Sequence, residues 1–437
     1  MPAAPGANPA LVRALRKAAG RLIPFLLLLY ILAFLDRVNI GFAKQAFLRS
    51  TGLSEAAYAF GAGVFFAGYA LLEIPSTLLM MRVGPRAWFC RIMVSWGLIS
   101  AAMMFARSAG SFYLLRFLLG VAEAGFFPGV ICYLAAWFPA GSRGRMLGLF
   151  YFGAPLAQIL GGPLSGWLLD RNGVAGLQGW QWLFLVEGLL AAGAGMAAFW
   201  MLANRPEEAR WLSPAECWAL RAALTAEEAK SEGTQPASAG SFLGDGRIWY
   251  FGLVYGLIQM SVYGVTFYLP SEVARLLGRE AGLIVGLVTA IPWVCALAAA
   301  YLVPRLAGAS SRRAAVAAAA LAGSAIGIAA AAADQPAVAL AGFCLAAAGF
   351  IGAQPIFWTF PAAEFSGRRA AAGIALINSA GAVGSFLAPN LKTWAETAWA
   401  SPRAGLITLA ATTFLAAGLM SRLPARLRQE AAQADRS

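Results

Sequence analysis

Four charged residues sit where charge is costly. Arg116 and Glu123 lie in the apolar run from Phe112 to Trp137, and Asp36 and Arg37 lie in the run 21–45. A bilayer's hydrocarbon core takes about 20 helical residues to cross. On insertion scales each charge near the middle of such a segment costs about 2.5–3.5 kcal/mol unless it finds a partner or a water-filled cavity. Seven helical steps of about 100° bring Glu123 to within about 20° of Arg116, with Gly120 and Phe127 on the same stripe. One face of this segment is therefore expected to look into a polar interior. A guanidinium stays charged and clamps a carboxylate through two hydrogen bonds. The chain has no histidine, so proton exchange near neutral pH falls to carboxylates held away from bulk water. The chemistry on offer is anion binding with proton exchange, inside a membrane.

Adjacent residues on a helix point about 100° apart, so Asp36 and Arg37 cannot face one another. Counting from Arg21, Asp36 lies about 22 Å along its helix, and Arg116, counted from Ser111 on a span running the other way, lies about 8 Å in. In a core of about 30 Å those depths coincide. This predicts an Asp36–Arg116 contact that leaves Arg37 for a substrate carboxylate. Glu123 lies about 10 Å deeper on its own helix than Arg116.

The elements that hold these residues follow from composition. Of 437 residues, 60% are hydrophobic and 12% charged, and the mean hydropathy is +0.68. A soluble domain carries about 25% charged residues, so the chain reads as a multispanning, all-α membrane protein in contact with lipid. The net charge of +13 is dispersed among membrane-length runs, which argues against a nucleic-acid partner. Five scattered cysteines (Cys90, Cys132, Cys217, Cys295, Cys344) show no paired spacing; neither a metal site nor a disulfide framework is expected. With no nucleophile motif either, no catalytic residue and no cofactor are assigned, and an enzyme is disfavoured.

Membrane-length runs recur at 21–45, 58–81, 87–107, 111–137, 146–169 and 181–203, then at 248–270, 281–303, 313–333, 336–362, 369–391 and 404–421. Twelve spans with both termini inside place 22 basic residues in inner segments and 8 in outer ones. That asymmetry is the positive-inside pattern. The expected organisation is a cytoplasmic tail (1–20), a six-helix bundle (21–203), a cytoplasmic linker (204–246), a second bundle (247–423) and a tail (424–437). In the linker, Ser213-Pro214-x-Glu216 reads as an N-cap, a first-turn proline and a capping-box partner. It predicts a short amphipathic helix to about Lys230, with a tether from Ser231 to Gly246.

The halves repeat. Gly125-Phe126, Phe138-Pro139-Ala140 and Gly144-Arg145 recur as Gly349-Phe350, Phe360-Pro361-Ala362 and Gly367-Arg368. Gly162-Pro163 has a counterpart in Ala388-Pro389. Parallel repeats around a central cavity are a transporter plan. The charges do not repeat: Asp36, Glu73, Arg116, Glu123 and Glu187 are all in the first half. Proton and anion chemistry is therefore expected there. Uncharged selectivity groups are expected in the second half, where Gln259/Tyr263 and Gln354/Trp358 form i, i+4 stripes and Asn378-Ser379 are polar in an apolar span. Such side chains also serve as interhelical hydrogen-bond partners, and that is the expected use of Glu73 and Glu187. Gly161-Gly162-Pro163 is read as close packing with a kink.

The segments LDRVNIGFA (35–43), GYALLEIPS (68–76), RFLLGVAEAGFFPG (116–129), GGPLSGWLL (161–169), GWQWLFLVEG (179–188) and GIALINSAGAVG (373–384) together resemble the major facilitator superfamily. Within it they resemble the anion:cation symporter family. The resemblance covers nearly the whole chain. It implies two pseudo-symmetric six-helix bundles, alternating access and proton-driven uptake of small organic acids across a bacterial inner membrane by a monomer. Together with the reading of the residues themselves, it makes Asp36 and Glu123 the candidate proton-coupling residues, and Arg37, Arg116, Asn39, Tyr69, Gln259, Tyr263, Trp358, Asn378 and Ser379 the candidate substrate site; Tyr69 matches a family position that faces the cavity. Two positions depart from the superfamily pattern: Met81 in the loop between spans two and three, and Pro304 in its counterpart, stand where an acidic residue is usual. The competing expectations are a proton-coupled exporter of drugs or an organic-anion exchanger.

Overall fold

The computed structural model describes residues 8–231, 245–308, 312–364 and 367–423. Twelve helical segments among them are long and apolar enough to cross a membrane, and no strand occurs among the described residues. In chain order the helices are α1 (Pro9–Thr51), α2 (Glu55–Val83), α3 (Pro85–Ala102), α4 (Ala109–Glu123), α5 (Phe126–Trp137), α6 (Ala140–Tyr151), α7 (Gly153–Leu169) and α8 (Gly179–Met201). After α9 (Pro214–Ser231) come α10 (Gly246–Thr266), α11 (Leu269–Leu277), α12 (Leu283–Ala307), α13 (Arg313–Ala330), α14 (Pro336–Glu364), α15 (Gly367–Ala398) and α16 (Pro402–Ser421). Three spans are built from two helices each: α4 with α5, α6 with α7, and α10 with α11.

Local chemistry sets the ends. Asn8 caps α1 by accepting from the Ala10 N–H at 2.9 Å, and Gly52 closes it with a φ of 69°, sending its N–H to Leu48 O. Ser54 then caps α2, accepting from the Ala57 N–H. An even number of spans leaves both described chain ends and α9 on one face of the bundle, the terminal face.

The first helix begins twelve residues before the expected span. Residues 9–20, read from sequence as tail, are its first turns: Leu11, Ala14, Leu15 and Ala18 join the apolar core, and Lys17 binds Glu216 of α9 at 2.8 Å. The capping box at the start of α9 is present, with Glu216 N–H to Ser213 Oγ at 3.3 Å and Ser213 N–H to Glu216 Oε2 at 2.9 Å. The rest of the expected tether, 232–244, and the tail from 424 lie outside the described residues, as do the side chains of Gly367-Arg368. Span seven runs on past its expected end as α11, and span eleven reaches Ala398.

The two halves meet along α7 with α12 and α2 with α15, and where α1 meets α11. The glycines of span five do the work expected of them. A Cβ at Gly162 would collide with the Gly286 carbonyl, and one at Gly166 with that of Gly282. Only glycine lets these backbones approach so closely, and in lipid such contacts replace the missing hydrophobic drive.

Candidate functional site

The site is centred on Arg37, in the middle of α1. Its guanidinium forms an ion pair with Glu123 of α4, and its other amino nitrogen donates to the Tyr263 hydroxyl of α10 at 3.0 Å. One side chain thus joins both halves. Three rings surround the guanidinium, Phe34 at 4.8 Å, Tyr69 at 5.3 Å and Phe65 at 5.4 Å. The side chains of Arg37 and Glu123 are 12% and 2% exposed. Nε of Arg37 and Oε2 of Glu123 are buried without a protein partner, so each group has bonding capacity to spare.

Glu123 stands where it does because its helix stops there. Ala124 leaves the helical region at ψ 134°, and Gly125 has a φ of 85°. A side chain at Gly125 would run into Ser76 of α2. Broken backbone inside a membrane is tolerated where protein or a cavity satisfies it. Here the break puts Glu123 at the inner end of a half-span, and Phe127, expected on the Arg116 stripe, belongs to the next helix.

The predicted Asp36–Arg116 contact is not formed. Matching depth along two helices left the direction of each side chain open. Asp36 turns toward α3, accepting from Trp96 Nε1 at 2.8 Å and Ser100 Oγ at 2.7 Å. Arg116 turns toward α2, donating to the carbonyls of Gly61 at 3.3 Å and Ala62 at 3.1 Å, with its guanidinium 5.0 Å from the Phe65 ring centroid. Arg37, expected to be free, is the arginine that holds the carboxylate. Arg116 has no contact with a second-half residue among the bonds described here; it anchors α4 to α2.

Behind Asp36 lies a second set of buried acids. Asn39 Nδ2 donates to Asp36 Oδ1 at 3.4 Å. Glu187 accepts from Ser165 Oγ at 2.8 Å. Asp36, Asn39 and Glu187 are each 1% exposed. Glu73, expected as an interhelical hydrogen-bond partner, is one, but across the halves: Asn378 Nδ2 donates to its Oε1 at 2.8 Å.

The remaining second-half residues spread along the inner walls. Gln259, one turn from Tyr263, has a buried Oε1 without a partner. Trp358 packs edge-on against Tyr255 at 4.8 Å, and Gln354 bonds its own helix at Phe350 O. Ser379 is half-buried beside Asn378. A cavity of about 30 Å³ beside Arg37 is lined in part by Phe34, Val38, Gln158, Tyr263, Thr266 and Trp293. A water needs about 10–15 Å³, so this space has room for about two or three waters and must widen for any organic cargo. Trp96, Ser100 and Thr266 were not singled out from sequence; the i, i+4 spacing of Trp96 and Ser100 was the available signal.

A family model described as Major Facilitator Superfamily matches residues 26–389. The Escherichia coli inner membrane transport protein RhmT is 47% identical over 96% of this chain and 97% of its own. An Agrobacterium vitis protein named as a tartrate transporter is 39% identical over 93% and 90%. A quinolone resistance transporter of Acinetobacter baumannii is 36% identical over 86% of each. Among solved structures, a D-xylose-proton symporter superposes with a TM-score of 0.70 at 20% identity, over 93% of this chain and 98% of that one. These relatives are transporters, not enzymes, and with twelve membrane-length apolar helices among its described residues the chain is a multi-pass membrane transporter that belongs to the major facilitator superfamily.

Proposed function

We propose that the protein is a proton-coupled importer of a small organic carboxylate, with Arg37 as the counter-charge for the anion and Glu123 as the proton-linked competitor for it. One observation carries the reading: Arg37 is shared between Glu123 of one half and Tyr263 of the other. An incoming carboxylate and the Glu123 carboxylate want the same guanidinium. With Glu123 ionised, the anion meets a neutralised arginine and an extra negative charge in a low-dielectric space. With Glu123 protonated, Arg37 is released to bind the anion through two hydrogen bonds. Proton and anion therefore favour each other's binding, and the coupling is reciprocal.

Asp36 is the second proton carrier in this reading. It has hydrogen-bond donors but no basic partner in the bonds described above, and a carboxylate taken out of water without a cation is a costly charge that protonation removes. Arg116 serves as a fixed positive charge near Glu123 and not as a clamp. Tyr69, Asn39, Gln259, Trp358, Asn378 and Ser379 line or brace the path. No cofactor other than protons is invoked, and the protein acts as a monomer. The 22-to-8 split of basic residues supports an orientation with the terminal face in the cytoplasm, and the membrane in this reading is a bacterial inner membrane.

The quinolone resistance relative supports a second reading, proton-linked export of a drug. A cationic drug calls for a carboxylate without a basic partner; Asp36 and Glu73 have none among the bonds described, whereas Glu123, the acid at the centre of the site, already has Arg37. A thermal-shift screen of purified protein against carboxylates and quinolones at about pH 5.5 and about pH 7.5 separates the two. Stabilisation by a carboxylate, larger at the lower pH and lost in Arg37→Ala, supports import of an acid. Stabilisation by the drug alone overturns it.

A further inference from the structure

At the face away from the termini, the halves are held shut around a single ring. Gly41 of α1 packs so tightly on the α10–α11 junction that a Cβ there would lie 2.9 Å from Phe267 O, and a Cβ at Gly63 of α2 would lie 2.7 Å from Phe386 O of α15. In the same layer, Tyr268 connects α10 to α11 and is 1% exposed.

Two lysines converge on Tyr268. Lys44 of α1 has its Nζ 4.5 Å from the ring centroid, and Lys392 of α15 has its Nζ 4.0 Å away. They come from opposite halves and both are buried, at 7% and 2% exposed. Each keeps an acid from its own half: Lys44 pairs with Glu55 at 2.8 Å, and Lys392 with Glu396 at 2.5 Å and Glu272 at 3.6 Å. Tyr58, whose hydroxyl donates to Ile40 O at 3.0 Å, sets its ring edge-on to Tyr268 at 6.2 Å. The Tyr268 hydroxyl stays within the second half, bonded to Thr393 Oγ1 at 3.0 Å and Pro389 O at 3.3 Å.

This division matters. Every ion pair in the cluster lies within one half, so parting the halves breaks none of them. Within the cluster, what crosses the boundary is the Lys44 ammonium on the Tyr268 ring, the Tyr58–Tyr268 edge contact and the mutual repulsion of Lys44 and Lys392. We propose that Tyr268 is the latch of the outer gate, gripped by Lys44 when the outside is closed and released when it opens. A cation on an aromatic face is attracted by the ring's quadrupole, more strongly when desolvated. On opening, Lys44 keeps Glu55, which is already 56% exposed, and both are rehydrated together. The latch is thus cheap to release and specific in direction. The exposed Arg49–Glu280 pair across the same boundary adds little, as surface pairs do.

The test uses spin-label distances in the full-length protein, made without its five cysteines and labelled at Ala56→Cys and Arg279→Cys, exposed positions on opposite halves. No substrate is needed, so the outcome is independent of the carboxylate reading. Lys44→Met and Tyr268→Leu should each shift the distribution toward the longer, open distance, changing the closed-to-open ratio by about 2- to 30-fold. Tyr268→Phe, which keeps the ring and loses only the bonds to Thr393 and Pro389, should leave it near the parent's. If Tyr268→Leu does not fold, Lys44→Met decides alone. A parent-like distribution in Lys44→Met, or an opening in Tyr268→Phe equal to that in Tyr268→Leu, overturns the proposal.

Discussion

Arg37 and Tyr263 touch across the boundary between the two halves, nitrogen to hydroxyl at 3.0 Å, while the same guanidinium holds Glu123 within its own half. The hydroxyl is therefore a contact between halves and the acceptor for an arginine N–H that Glu123 does not use. Removing it in Tyr263→Phe leaves the ring packing on Phe66 at 4.6 Å in place. A hydrogen bond to a charged group contributes about 1.5–3 kcal/mol. Uptake assays on Tyr263→Phe should show a weakened apparent affinity for the acid with proton dependence retained; unchanged affinity would mean that the hydroxyl only fills space.

Asn378→Ala should act differently from a change in substrate preference. Its amide is committed to Glu73 across the halves, and removing it strands a largely buried carboxylate oxygen, at a cost of about 1–3 kcal/mol. We expect a changed turnover rate with the rank order of competing acids preserved. A reordered competition series would instead place Asn378 on the substrate.

Much of this fold was legible because lipid imposes simple length and polarity limits. Twelve spans, their pairing with loop charges, and the capping box at Ser213 follow from rules that act on short stretches of chain. The breaks at Ala124, Phe152 and Phe267 were not legible, since each depends on what packs beside it: Gly125 turns where Ser76 blocks a side chain. The site was half legible. Depth along a helix can be counted, so the placing of Asp36, Arg37, Arg116 and Glu123 inside the spans was legible. Direction around the helix depends on the neighbours, so the pairing was misassigned: Trp96 and Ser100 claim Asp36, and the carbonyls of Gly61 and Ala62 claim Arg116.

The helix α9 should detach at low pH. Glu216 is hydrogen-bonded by Lys17 and by the Ser213 N–H, which hold its carboxyl below the usual carboxylate range. A group with a lowered folded value stabilises the docked form above its unfolded value, about 4.3. That contribution is lost as pH falls through the folded value. Protection of amides 214–231 relative to their intrinsic exchange rate should therefore fall below about pH 4, and Glu216→Gln should show the lower protection already at neutral pH. Protection that is unchanged across this range in both proteins would show that the Lys17–Glu216 pair does not dock the helix.

Topology can be tested from the same helix. A cysteine at Ala226, exposed on α9, in a protein lacking the native five, should resist impermeant thiol reagents in intact cells and react after permeabilisation. Labelling from outside would reverse the orientation drawn from the basic residues.

Glu123→Gln bears most directly on coupling. The substitution keeps the size of the side chain and can still accept a hydrogen bond from Arg37, but removes the charge that competes with the substrate. It imitates the protonated form permanently. Binding of the acid should persist, and exchange between preloaded vesicles should continue, because a neutral residue 123 leaves Arg37 available throughout the cycle. Accumulation driven by a pH gradient should fail, since no proton is then taken up or released at this position. The wild-type pH dependence of affinity, about 5- to 150-fold for couplings of the usual size, should flatten. Arg37→Ala should lose exchange and accumulation together, because the anion has no counter-charge left and Glu123 becomes an unpaired buried charge, a change that costs about 3–5 kcal/mol when one partner of a buried pair is removed. Arg116→Ala separates the two arginines: it removes the anchor of α4 on α2 and should lower stability more than it lowers affinity. If Glu123→Gln still concentrates the acid against a gradient, the coupling proton is carried elsewhere, and Asp36, held by Trp96, Ser100 and Asn39, becomes the group to change next.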